Sequence, residues 1–209
     1  MGSHLLSQCP FHYREHRCTD QHLINRFIDT FPLALITSQT GGNFHSSHIP
    51  LLRNPDGTLF GHVDRRNPQF REAASLKCHI AFIGPSSYIP PEAYRNTQLP
   101  TWNYLAVHIQ ADIEVIDNET ENLDILMQSA QRFAPDGCEY RVDTQDPRVI
   151  RNLPHILGLS IHPETVEGRF KLSQDKPSQD QVSALNWLVE QHKVVHEQLL
   201  EFSSFLHLS

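Results

Sequence analysis

Four short stretches carry residue types that could hold a ligand. The first, Ser46-Ser47-His48-Ile49-Pro50, places two hydroxyls and an imidazole on extended chain. The second runs from Gly61 and His62 to Arg65, Arg66 and Asn67, just before Pro68. A guanidinium beside the unpaired N–H groups of a helix start makes a good phosphate cradle. The third, Pro100 to His108, combines a flat aromatic (Trp102), an amide (Asn103) and an imidazole (His108), which suits the edge of an aromatic ligand. The fourth, Glu167 to Gln174, adds Lys171, Ser173 and Gln174 as a cation and two neutral donors. Each stretch also has an ordinary reading: a solvated loop at 65–68, Trp102 in a core, Asn103 bonded to a turn.

Other chemistries have no positive support. On a strand, residues three apart point to opposite faces, so His45 and His48 are badly placed to share a metal ion. His12/His16 and His192/His196 have the i, i+4 spacing of one helix face, but with no third ligand nearby they read as solvated, and no metal site is expected. Cys9, Cys18, Cys78 and Cys138 form no C-x-x-C pair and read as reduced thiols. Neither a G-x-S-x-G elbow nor a G-x-G-x-x-G or P-loop motif is present. No residue stands out as a nucleophile or general acid, so any catalysis would belong to a cofactor.

The elements that must position these stretches follow from periodicity. Asp20 caps a helix with Leu23, Ile24, Phe27, Ile28 and Phe31 on one stripe, stopped by Pro32. Strands are expected at 33–37, 44–52 and 58–63, joined by the turns Gly41-Gly42-Asn43 and Asn54-Pro55-Asp56-Gly57. Asn67-Pro68 predicts a helix over 69–75, followed by a strand at 78–83 and a Pro-rich loop from Gly84 to Pro100. A long strand at 101–116, a helix at 119–133, a short helix at Asp146-Pro147, strands at 156–161 and 165–172 and a terminal helix over 178–205 complete the pattern. Hairpin-linked strands with inserted helices make this an α+β chain with a mainly antiparallel sheet or barrel.

Of the 209 residues, 39% are hydrophobic and 20% charged, a folded globular composition. The net charge of −7 is uneven: residues 1–105 hold nine Lys/Arg against seven Asp/Glu, and the remainder eight against 17. Sequence-independent DNA affinity comes from cations that neutralise phosphates, so direct DNA contact is disfavoured, whereas a small anionic ligand needs only two or three well-placed cations. The chain has no apolar run long enough for a membrane helix, and its first residues lack a basic region followed by an apolar stretch. The expectation is a cytoplasmic protein without a membrane partner.

Taken in order, the four stretches resemble the PaiB family of FMN-binding transcriptional regulators. That family is one of the split-barrel flavoproteins, which include pyridoxamine-phosphate oxidases and flavin reductases. The resemblance covers roughly residues 10–190, with Pro-Thr-Trp-Asn-Tyr…Val-His and Lys-Leu-Ser-Gln the most specific parts. It implies a six-stranded antiparallel split β-barrel with peripheral helices and a C-terminal helix, one domain over 1–209 with its core at about 10–176. It also implies a homodimer with FMN at the interface. In that reading Arg65 and Lys171 bind the phosphate, with Ser46, Ser47 and Asn67 as neutral donors. His48, the Ile49-Pro50 backbone, His62, Trp102, Asn103 and His108 surround the ring, and Ser173 and Gln174 close the site. The sequence departs from the family pattern at Asp64 (Ala expected), Phe70 (Trp), Ala111 (Gly) and Asp175 (Asn). A carboxylate at 64 would compete with a phosphate for Arg65. The implied function is a transcriptional regulator or flavin-linked sensor. The alternatives are an FMN-dependent oxidoreductase or flavin reductase using NAD(P)H or a small substrate, and a cofactor-free barrel; haem or another planar ligand is the alternative occupant of the pocket.

Overall fold

The computed structural model describes residues 13–192. Cys9, His12, His196 and the expected helix beyond residue 192 lie outside the described residues. The described residues divide into two compact units, a larger one (24–84 and 106–167) and a smaller one (13–23, 85–105 and 168–192).

A two-residue strand β1 (Arg17–Cys18) precedes α1 (Gln21–Thr30). The Asp20 carboxylate caps α1 by accepting from the backbone N–H groups of His22 (2.8 Å) and Leu23 (3.2 Å). The stripe Leu23, Ile24, Phe27 and Ile28 is buried as its spacing requires. Strands β2 (Leu33–Thr40) and β3 (Asn43–Pro50) form an antiparallel hairpin in register from Thr40↔Asn43 to Leu33↔Pro50. Its turn needs positive φ at both central residues, met by Gly41 (58°) and Gly42 (83°). Next come β4 (Leu52–Arg53), β5 (Leu59–Asp64), β6 (Ser75–Ile89), β7 (Thr101–Ile116), α2 (Glu119–Phe133), α3 (Pro147–Asn152), β8 (Ile156–Lys171) and α4 (Ser178–His192). The strand order is β3-β2-β6-β7-β8-β5-β4, with β1 on β8, and the β1–β8, β2–β3, β2–β6, β4–β5 and β5–β8 pairs are antiparallel.

In the larger unit the far ends of this order approach each other at Gly61. A Cβ there would stand 2.8 Å from Leu51 Cδ2 and 2.9 Å from the Pro50 carbonyl, so only glycine lets β5 lie this close to the end of β3. Helix α2 covers β4 and β5 by packing Ile125 against Leu52 and Phe60, with Ile116 beside them. In the smaller unit Ile89, Tyr94 and Ala184 form a core flanked by Ala93 and Trp187.

The α+β antiparallel architecture is as expected, with four corrections. The sheet has eight strands, six of at least six residues plus the two-residue β1 and β4. No helix forms over 69–75: Asn67 starts a single turn, its carbonyl accepting from Phe70 (3.1 Å) and Arg71 (3.0 Å), and the chain enters β6 at Ser75. One turn cannot repay helix nucleation when the following residues gain sheet partners. Strand β6 runs through Gly84-Pro85 to Ile89, because Pro85 lies past the residues paired with β2 (Cys78–Phe82) and removes no N–H from that ladder. The two closing strands are one, β8; Pro163 likewise lies past the segment paired with β5 (Ile156–Ile161).

Candidate functional site

In the larger unit, alternation along β3 sends Ser46, His48 and Pro50 outward and buries Ile49. The Ser46 hydroxyl lies 3.0 Å from that of Thr37 on β2, and the Ser47 hydroxyl accepts from Asn67 Nδ2 at 2.9 Å. Asn67 is itself fixed: its N–H donates to the Asp64 carbonyl and its Oδ1 accepts from the Gln69 N–H. Gln69, nearly fully buried, locks this turn to the hairpin by donating from Nε2 to the Ile36 carbonyl (3.2 Å), Ser38 Oγ (3.0 Å) and the His45 carbonyl (3.4 Å). Ser46, Ser47, Asn67, Gln69, Asp64 and Arg66 are among the residues lining a cavity of about 550 Å³.

The cation at this cavity is Arg66. Its guanidinium engages the Asp64 carboxylate at 3.0 and 2.6 Å, and its backbone N–H adds a third bond at 2.8 Å. The Arg66 bonds hold the Asp64 carboxyl far below the usual carboxylate range. Arg65 is committed elsewhere. Two of its nitrogens donate to the Asp117 carboxylate, Nε donates to the Pro154 carbonyl (2.8 Å), and its N–H donates to the His155 carbonyl (2.8 Å). The expected rivalry of Asp64 for Arg65 therefore falls on Arg66. The available signal was the Asp-x-Arg spacing of an Asx turn, in which the Asp64 carboxylate accepts from the N–H two residues on.

Beyond Ser46, the outward face of β3 turns apolar. His48 and Pro50, with Leu33, Leu35, Ala81 and Ile83, line a groove of about 680 Å³. The registers make cross-strand rows of these residues: Ser46–Thr37–His79, then His48–Leu35–Ala81. The first row extends to β7, where His108 Nδ1 lies 3.0 Å from His79 Nε2 and the two rings stack at 5.1 Å. His79 was not singled out from sequence, although it shares a strand face with Ala81 and Ile83. His62 lines a different cavity, beneath α2.

In the smaller unit, Asn103 and Ser173 are fully buried and bonded to each other. Asn103 Nδ2 donates to Ser173 Oγ (3.0 Å), which donates to Asn103 Oδ1 (3.1 Å) and lies 3.2 Å from the Tyr94 hydroxyl. Ser173 sits at φ 65°, a left-handed conformation that this network holds in place. Lys171 Nζ donates to Thr101 Oγ1 (2.7 Å), and Gln174 accepts from the Leu172 N–H and donates to the Phe170 carbonyl. Trp102 is 53% exposed and tilted against Tyr88, with ring centres 6.4 Å apart.

Residues 11–165 match the family described as "Putative FMN-binding domain". Protease synthase and sporulation protein PAI 2 of Bacillus subtilis (strain 168) is 24% identical over 192 residues, covering 88% of this chain and 92% of that protein. The fold is similar to that of the FAD and heme binding protein from Mycobacterium smegmatis (TM-score 0.62, 18% identity, 81% and 80% of the two chains). It is also similar to that of the flavocytochrome Anf3 from Azotobacter vinelandii (TM-score 0.58, 15% identity, 78% and 72%). Among the described residues no helix is long and apolar enough to cross a membrane. The family match spans most of the chain and agrees with the PaiB-type motifs and the antiparallel split-barrel fold, and the protein belongs to this FMN-binding domain family.

Proposed function

We propose that the protein holds FMN along β3 and acts as a flavin-linked regulator of the PaiB type. The observation that carries this reading is one strand leading from a polar cavity to an apolar groove. Ser46, Ser47, Asn67 and Arg66 supply hydroxyl, amide and guanidinium donors suited to a phosphate. His48, Pro50, Leu35 and Ala81 supply an apolar wall suited to a flat ring. Ser46, Ser47 and Asn67 fit an FMN phosphate as neutral donors, and for the phosphate to gain a cation the exposed Arg66 guanidinium exchanges the Asp64 carboxylate for it. When bound, FMN supplies electron-transfer chemistry; the protein supplies binding, orientation and exclusion of water. Within the smaller unit, Asn103, Ser173 and Gln174 fix the backbone around Trp102 and Lys171.

The FMN site belongs, in this reading, to a homodimer interface. Leu33, Phe44 and Ile83 leave an apolar outward face, with Ile83 61% exposed. The two compact units form one domain, since β6, β7 and β8 pass through both. Buried free thiols at Cys18 and Cys78 suit a reducing, cytoplasmic setting. The charge of −7 favours regulation through a protein partner or a metabolic signal over direct DNA contact. The hydrogen-bonded His79–His108 pair favours a second reading, a flavin reductase or oxidoreductase, because paired imidazoles can pass a proton.

The test is absorption and fluorescence of the purified protein titrated with FMN. Bands near about 370 and 450 nm with quenched fluorescence are expected. Protein that stays colourless and leaves FMN fluorescence unchanged would overturn the reading in favour of a cofactor-free barrel. Reduction of the bound flavin by NADH or NADPH would move the function to the oxidoreductase class.

A further inference from the structure

The imidazole of His62 has no part in the β3 site. It projects from β5 on the side that carries Phe60, towards α2, and no hydrogen-bonding partner serves it among the described residues. It lines a cavity of about 530 Å³ within the larger unit, walled by Leu126, Ala130 and Phe133 of α2 and by Val142, Val149 and Leu153. The charged side chains lining it are Asp146 and Arg148, and these pair with each other at 3.0 and 3.1 Å. The cavity thus combines a largely apolar wall, an imidazole without a partner among the described residues beside the Ser129 and Tyr140 hydroxyls, and no net charge. We propose that it is a second ligand site, for a small uncharged aromatic compound carrying one N–H or O–H group for His62.

Each part of that assignment has a physical reason. A volume of about 530 Å³ lies within the range of small-molecule sites, which pair apolar walls with a few orienting polar groups. His62 is half-buried, so its imidazole is reachable from the cavity and a ring nitrogen can take a ligand's hydrogen bond. Burial lowers the His62 pKa below its ordinary 6.5, so at neutral pH the ring is uncharged, with one nitrogen free to accept. A charged ligand would find no unpaired counter-charge, because Asp146 and Arg148 satisfy each other. The rings of Phe133 and Tyr140 at the same cavity favour an aromatic body. Phe133 also borders the apolar groove beside β3, so the arms with and without FMN test whether the two sites are separate.

The experiment uses the full chain, with and without FMN, and three probes: indole, 1-methylindole and indole-3-acetate. Binding is read from the ring-nitrogen NMR signals of ¹⁵N-histidine-labelled protein, and flavin fluorescence is recorded in parallel. Indole should bind saturably and move the His62 signals. 1-Methylindole, which lacks the N–H, should bind about five-fold more weakly, and indole-3-acetate at least ten-fold more weakly. Ala130→Phe should abolish indole binding by filling the cavity from the helix side, with His62 untouched. His62→Leu should erase the preference for indole over 1-methylindole, and His62→Gln should keep part of it. Absence of saturable indole binding would overturn the proposal, as would equal binding of all three probes or insensitivity to Ala130→Phe. Release of bound FMN in step with indole binding would also overturn it, by making the cavity part of the flavin site. A chain that ignores FMN but binds indole as described would sink the flavin reading and leave this one standing.

Discussion

Adjacent arginines have opposite assignments because of what their neighbours offer. Arg65 is a staple: its guanidinium joins the end of β5 to Asp117 and to the Pro154 carbonyl. Arg65→Ala should lower stability by about 1 kcal/mol, since the pair is partly exposed, and should change FMN affinity by less than about two-fold. Arg66→Ala should leave stability near wild type and weaken FMN binding about ten-fold, as expected for loss of one charge-assisted contact. Urea unfolding and flavin titration of both variants separate the two roles. Asp180 is a staple of another kind. It is fully buried and accepts from the N–H groups of Arg95 (2.8 Å) and Asn96 (3.0 Å) and from the side chains of Asn96 (3.1 Å) and Gln98 (2.8 Å). Burial pushes its pKa up, but these hydrogen bonds outweigh burial and hold it below the ordinary 3.8. A depressed carboxylate pKa stabilises the fold above 3.8, and that contribution disappears as pH falls through the folded value. Asp180→Asn should therefore lower the melting temperature at pH 7, and the gap to wild type should close below pH 3.8.

Elements differ in how far local sequence decides them. Helices α1, α2 and α3 start where Asp20, Asn118 and Asp146 accept from the first-turn N–H groups; α1 was placed from its cap and periodicity, α2 from periodicity and α3 from Asp146-Pro147. The turn after Asn67 has the same cap chemistry, yet Gln69 and the sheet hold it to one turn and so set the amide of Asn67 against Ser47. The close approach of β5 to the end of β3 depends on Gly61. Gly61→Ala should cost about 1–3 kcal/mol, because the new methyl meets a backbone carbonyl that can move only with its strand. Chemical denaturation would measure the loss, and FMN affinity should fall with it, since Pro50 borders the apolar groove.

For the whole molecule, the proposed homodimer rests on the exposed apolar face of β2, β3 and β6. Ile83→Lys should shift sedimentation from dimer to monomer with an unchanged circular dichroism spectrum, because a surface residue contributes little to folding but a buried interfacial lysine is costly. A wild-type protein that sediments as a monomer would remove the interface from the functional reading.

Periodicity, caps and turn residues were enough for the α+β class and nearly every strand and helix, because these signals are local; residue types picked out the four stretches, the first three of which lie within the FMN-binding family match. Composition alone settled the acidic balance that argues against a DNA grip. What only tertiary structure decided was partnership. Arg65 rather than Arg66 goes to Asp117, 52 residues further along the chain. Likewise His79 meets His108 and His62 faces the α2 cavity, through strand pairings and packing that no local spacing encodes. Continuity of β6 and β8 through their prolines was hidden for the same reason: whether a missing N–H matters depends on the neighbouring strand, and that neighbour is distant in sequence.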